Sequence, residues 1–170
     1  MGPFPHNAPK SVISAENPAG TDGFEFVEFA SPEPQELRDL FARMGYALTG
    51  RHRSKDIELW QQGDITYLLN SEPGSFAARF VEEHGPCAPS MGWRVVDAQK
   101  AFEHAVSKGA EPYEGDDKAM DVPAIKGIGG SLIYFIDQYY DTSPYNGEFE
   151  WLAQSKPRGD GFFYLDHLTH

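Results

Sequence analysis

The order of elements in this chain runs twice, and few folds accommodate such a repeat. Residues 24–29 read FEFVEF, an alternating aromatic and β-branched run that predicts a strand. Ser31, Pro32 and Pro34 then supply a cap and first turn. Leu37, Leu40, Phe41 and Met44 recur at i, i+3, i+4 and i+7, predicting an amphipathic helix that Gly45 stops. Strands are expected at 46–52, 57–61 and 65–69, parted by turn-prone Ser54-Lys55-Asp56 and Gly63-Asp64. After a short connecting helix over 75–84, closed by Gly85-Pro86, the pattern restarts. Residues 93–96 predict a strand, and Asp97 caps a helix carrying Ala98, Ala101, Phe102, Ala105 and Val106 on one stripe, stopped by Gly109. Strand candidates follow at 111–114, 122–126 and 132–136. Gly45 and Gly109 are equivalent stops 64 residues apart. The expectation is an α+β fold in which two βαβββ modules, about 23–70 and 91–137, form one domain over 21–137.

The rest of the chain reads differently. Residues 1–20 are proline-containing with no continuous apolar segment and predict a flexible tail. Residues 138–161 are rich in Tyr, Pro, Gly, Asp and Ser and read as a linker, with one strand candidate at 149–152. A new strand is expected from Phe162. The 170 residues, 40% hydrophobic and 24% charged, match an ordinary globular protein. A chain of this length buries about 70% of the surface its unfolded form exposes, enough for one sizeable core. The net charge of −12 would repel a phosphate backbone or an anionic membrane, which argues against nucleic-acid and membrane partners. No run approaches the roughly 18 apolar residues of a membrane helix. Cys87, the one cysteine, cannot form an internal disulfide and fits a cytoplasmic location.

Most candidate chemistry reduces to structure. His6 belongs to the tail, and His104 lies opposite its helix's apolar stripe. His84 sits in a last helical turn, where the dipole favours a cation. His52 is flanked by Arg51 and Arg53, which disfavour a metal, and is read as a strand-end surface residue. The glycines in residues 126–130 precede a strand rather than a helix, so they predict a hairpin turn and not a phosphate cradle. The acidic residues of 114–121 read as a solvated loop rather than a calcium site, and Arg158-Gly159-Asp160 as a chance tripeptide. The closing segment 161–170 delivers Asp166, His167 and His170. On strand geometry His167 and His170 point to opposite faces, so at most one ligates a metal; read alone, His167 is an ordinary C-terminal residue.

Several phrases change that reading. GFEFVEFASP at 23–32, HRSKDIELWQQGDITYLLN at 52–70, EEHGP at 82–86, PAIKGIGGSLIYFID at 123–137 and LDHLTH at 165–170 resemble bacterial 4-hydroxyphenylpyruvate dioxygenases, from about Asn17 onward. The paired modules likewise resemble the glyoxalase-like vicinal oxygen chelate superfamily. The resemblance implies an N-terminal domain without metal, acting as scaffold and in subunit contacts of a homo-oligomer, followed by a catalytic domain whose first strand starts in 162–170. It also implies Fe(II) bound by two histidines and a glutamate, with His167 as the first ligand and His170 without a metal role. Asp166 is either an outer support for that ligand or a solvent-facing residue. The implied reaction converts 4-hydroxyphenylpyruvate, a small aromatic 2-oxo acid, and O2 into homogentisate and CO2 in tyrosine breakdown. One imidazole cannot hold Fe(II) tightly, so the chain alone is expected to be inactive.

Three other readings stand beside it: a metal-free binding module of the same superfamily, a 4-hydroxymandelate synthase fragment, and a glyoxalase-like homodimer. The last would need inward acids, for which Glu25, Glu28 and Glu58 are the candidates.

Overall fold

The computed structural model describes residues 9–152 and 158–169. Their strands form one eight-stranded sheet: β1 (Thr21–Ala30), β2 (Ala47–His52), β3 (Ile57–Gln62), β4 (Ile65–Asn70), β5 (Cys87–Val95), β6 (Ala124–Lys126), β7 (Leu132–Ile136) and β8 (Phe149–Trp151). The order across the sheet is β6-β7-β5-β1-β4-β3-β2-β8. Three helices accompany them: α1 (Pro34–Arg43), α2 (Phe76–His84) and α3 (Ala98–Ser107).

The duplication is visible in the pairing. β1 lies parallel to β4, and β5 lies parallel to β7, so each module closes its last strand against its first. The two first strands, β1 and β5, pair antiparallel and join the modules at the centre of the sheet. The second module is abbreviated. The strand expected at 111–114 is reduced to one bridge, Pro112 to Ile125, because a proline cannot donate to a ladder. β5 begins at Cys87, earlier than the expected 93, even though it contains Pro89.

Side-chain alternation divides the sheet into two faces. On the helix face, α1 buries Phe41 against Phe29, Tyr46, Trp60 and Tyr67, with ring centroids 5.1–6.2 Å apart. Burying a ring of this size stabilises by roughly 1.5–3 kcal/mol before the aromatic contacts are added. Leu37 and Met44 join that cluster, whereas Leu40, expected in the core, is 39% exposed at its edge. The helix starts after Glu33 with no side-chain cap; Ser31 instead accepts from Glu33 N–H. α3 packs its alanines on Val95, Ile125 and Phe135, and Asp97 caps it by accepting from Lys100 N–H as the sequence predicts. Ser75 caps α2 in the same way.

The opposite face is covered by connecting segments. Phe26, Leu59, Leu68, Leu132, Tyr134 and Ile136 point into one buried cluster with Ala119, Met120, Tyr145 and Phe149. The last two, with Tyr139, belong to the stretch expected to be a linker, and all three are at most 2% exposed. Tyr139, Tyr145 and Phe149 are therefore core: they supply apolar surface that polar and glycine neighbours concealed from a compositional reading. The described part of the tail is also held in place, since the Asn17 side chain bonds both N–H and C=O of Thr21. Strand pairing is absent from residues 158–169, so the strand expected from Phe162 does not form; none of the described strands lies alongside this segment as a ladder partner. No helix among the described residues is long and apolar enough to cross a membrane.

Candidate functional site

In a fold of this kind the concavity between paired modules is the natural place for a ligand or metal, so the chemistry of that face decides what this domain can do. Here Met120, Tyr145, Tyr134 and Phe149 fill much of it, leaving a cavity of about 290 Å3 lined by Glu25, Gln61, Asp64, Arg94, Tyr139 and Tyr145. Two carboxyl groups of β1 are buried there. Glu28 is 1% exposed and receives hydrogen bonds from Asn70 Nδ2 at 2.7 Å and from the Ser90 hydroxyl. Burial raises its carboxyl above the ordinary value, against the opposing effect of the Ser90 and Asn70 bonds. Both of its oxygens are engaged by these donors.

Glu25 sits at the irregularity between Phe24 and Phe26, where the register with β5 shifts. Such a bulge re-aims a side chain, and Glu25 meets Arg94 Nε at 2.6 Å and the Tyr145 hydroxyl at 3.0 Å. Arg94 also bonds Asp64 at 2.8 Å and lies against the Tyr139 and Tyr140 rings, 5.7 and 5.1 Å from their centroids. Burial opposes the charge on Arg94, but the facing Glu25 and Asp64 carboxylates outweigh it and hold the guanidinium above its ordinary value. The sequence signal for this ion pair was a lone arginine inside an apolar strand, and the reading above passed over it. Glu58, the third acid considered, is on the helix face, bound by Arg38 Nε at 2.9 Å and Trp60 Nε1 at 3.0 Å. The three acids therefore do not converge.

His167 lies elsewhere. It borders a groove of about 290 Å3 lined by Thr21, Phe24, Trp93, Tyr164 and Asp166. Its side chain is 71% exposed, and Nδ1 is 2.9 Å from Asp166 Oδ2. That contact holds the Asp166 carboxyl below its ordinary value. No group of three metal-ligating side chains occurs among the described residues, so those of this chain do not by themselves fit an iron centre. His170 and His6 lie outside the described residues. His52 is not the surface residue expected. Its side chain is 5% exposed, contacts Glu148 at 3.3 Å, accepts from Ser54 and Lys55 N–H, and packs on Phe149. The glycines at 127–130 form the turn of the β6–β7 hairpin, as predicted.

An eight-stranded sheet made of two modules joined through antiparallel first strands, with a helix per module on one face, defines a glyoxalase-like vicinal oxygen chelate fold. The chain belongs to the 4-hydroxyphenylpyruvate dioxygenase family: residues 15–150 match the family described as hydroxyphenylpyruvate dioxygenase, HPPD, N-terminal. It is 45% identical over 160 residues to a 4-hydroxyphenylpyruvate dioxygenase from Pseudomonas sp., covering 91% of this chain and 45% of that protein. It is 42% identical over 168 residues to hemolysin VllY of Vibrio vulnificus, covering 94% of this chain and 47% of that protein. Among solved structures, a xylose isomerase-like TIM barrel/4-hydroxyphenylpyruvate dioxygenase fusion protein superposes with a TM-score of 0.79 at 32% identity, over 97% of this chain and 27% of that one. The chain thus spans less than half the length of the curated relatives it matches.

Proposed function

We propose that this chain is the N-terminal portion of an Fe(II)-dependent dioxygenase that converts 4-hydroxyphenylpyruvate and O2 into homogentisate and CO2. The observation that carries the proposal is the family match over residues 15–150, together with 45% identity to a relative bearing that activity in its name. The chemistry of the loop face supports a division of labour. A face packed with Met120, Tyr134 and Tyr145, with Glu25 paired to Arg94 and Glu28 held by Ser90 and Asn70, offers no convergent set of three metal donors among the described residues. In this reading the portion described here is scaffold, and His167 contributes the first of three iron donors. The other two come from sequence that the relatives possess beyond the matched stretch. Iron bound there would anchor the 2-oxo acid group of the substrate and activate O2. A cytoplasmic homo-oligomer, with this domain contributing subunit contacts, is part of the same proposal.

The test is expression of the complete reading frame with Fe(II), followed by identification of the product formed from 4-hydroxyphenylpyruvate under O2. Homogentisate, lost on His167→Ala, is the expected result. 4-Hydroxymandelate as product would assign the alternative chemistry. Tight metal-free ligand binding by residues 1–170, without turnover by the longer protein, would overturn the dioxygenase reading.

A further inference from the structure

Residues 158–165 cross the helix face as an irregular strap, and one side chain governs how they do so. Gln62, the last residue of β3, is completely buried. Its Nε2 donates to Met44 C=O at 2.7 Å, which fixes the amide plane. Its Oε1 then accepts from two successive backbone groups, Gly161 N–H at 3.0 Å and Phe162 N–H at 3.1 Å. Asp64 N–H completes the grip by donating to Phe163 C=O at 3.1 Å.

Two glycines make room for this approach, and both have the positive φ that suits glycine. Gly45 has φ +81°, and a Cβ there would stand 2.6 Å from the Asp160 nitrogen. Gly63 has φ +55°, and a Cβ there would stand 2.6 Å from the Phe163 Cα. Gly45 therefore does more than end α1, and Gly63 more than turn the β3–β4 hairpin: both are seats for a backbone. Beyond the grip, Leu165 packs on the cluster of Phe41, Trp60 and Ile65. A buried amide that satisfies three main-chain groups, between two glycines that clear the path, is a site built to seat the turn at 159–161, where Gly159 and Gly161 have positive φ.

We infer that Gln62 is a positioning residue: it clamps residues 161–163 to the β3–β4 turn and so sets the place from which the Asp166-His167 pair is presented. This consequence for His167 rests on the dioxygenase reading above, whereas the clamp rests only on the contacts described. A donor carried five residues beyond Phe162 has little slack. An error of an ångström or so at an anchored ligand is costly to a metal centre, which needs its donors held in convergent positions.

The clamp is tested in the 170-residue chain by amide hydrogen exchange. Gly161 and Phe162 should be protected, and Gln62→Leu should lower their protection about tenfold or more, the effect of one to two lost hydrogen bonds. The amides of Leu59 and Leu68 should keep theirs, which shows that the sheet persists. Gly63→Ala, which leaves Gln62 in place and crowds Phe163, should release the same amides. Gln62→Glu, which keeps an acceptor for the N–H pair, should retain more protection than Gln62→Leu. Exchange of Gly161 and Phe162 at unstructured rates in the parent chain, or unchanged protection in Gln62→Leu, would overturn the clamp. In the complete iron-loaded protein, Gln62→Leu should weaken iron binding about tenfold, with partial rescue by Gln62→Glu. Unchanged iron affinity would overturn the positioning role. A complete protein that forms no homogentisate would count against the dioxygenase reading instead, and the exchange result would stand apart from it.

Discussion

Glu25 and Glu28 lie three residues apart on the same strand, both nearly inaccessible, yet the protein treats them in opposite ways. Glu25 is matched by Arg94 and the Tyr145 hydroxyl, so its environment is built around an ion pair. Glu28 meets only neutral donors, Ser90 and Asn70, with Lys55 and Asp117 acting on it from further away, and burial outweighs them in raising its carboxyl above the ordinary value. The bulge at Glu25 accounts for the difference, because it swings that carboxylate toward the Arg94 side of β5 while Glu28 stays in regular register with Ser90. Position along a strand therefore determines ionisation less than what the neighbouring strand places opposite.

Arg94→Met should have the largest effect. It strands Glu25 without its cation, and removing one partner of a buried pair costs on the order of 3–5 kcal/mol in urea unfolding. The double variant with Glu25→Leu should recover much of that loss; if it does not, the pair is not the unit. Next comes Tyr145→Phe, which deletes a donor to a buried carboxylate and should cost about 1–3 kcal/mol by the same measurement. Glu28→Gln should leave stability at acid pH close to that of the parent chain and change its pH dependence. A carboxyl whose folded pKa is raised stabilises below its ordinary value near 4.5, and that contribution is lost as pH rises through the folded pKa. The parent chain should thus lose stability over that rise and the Gln variant should not, which thermal unfolding at a series of pH values would reveal. Equal slopes would mean Glu28 is ionised and the contrast with Glu25 false. The smallest effect belongs to His167→Ala, which should shift the stability of this chain by less than about 0.5 kcal/mol because the side chain is exposed.

The repeated module was legible because it is written in periodicities: the apolar stripe of α1 apart from Leu40, the strands β4 and β7, and the stops at Gly45 and Gly109 fall where the structure has them. What escaped was written in single contacts. Tyr139 and Tyr145 lie among Pro, Ser and Gly, so no period marks them as core, though their rings are buried against Asp22 and Glu25. The expected strand at 111–114 failed on Pro112, and the one from Phe162 failed because strand formation depends on a neighbour that local sequence does not report. Of the site candidates, the resemblance alone singled out His167; the histidine's own surroundings are Asp166 and an open groove. The arrangement around Gln62 could not have been inferred, since its meaning depends on a strap 99 residues further along the chain.

The central position of β1 also has a consequence on the ribosome. Val27 pairs with Tyr67 and with Met91, 40 and 64 residues later. At roughly 5–20 residues per second, the nascent FEFVEF run waits several seconds for its last neighbour. Such an aromatic stretch is the kind that self-associates when unpaired, and charges within it are the usual safeguard. Both glutamates are ionised while the run is solvated, so they guard the emerging chain until Arg94 and Ser90 arrive to take up their oxygens.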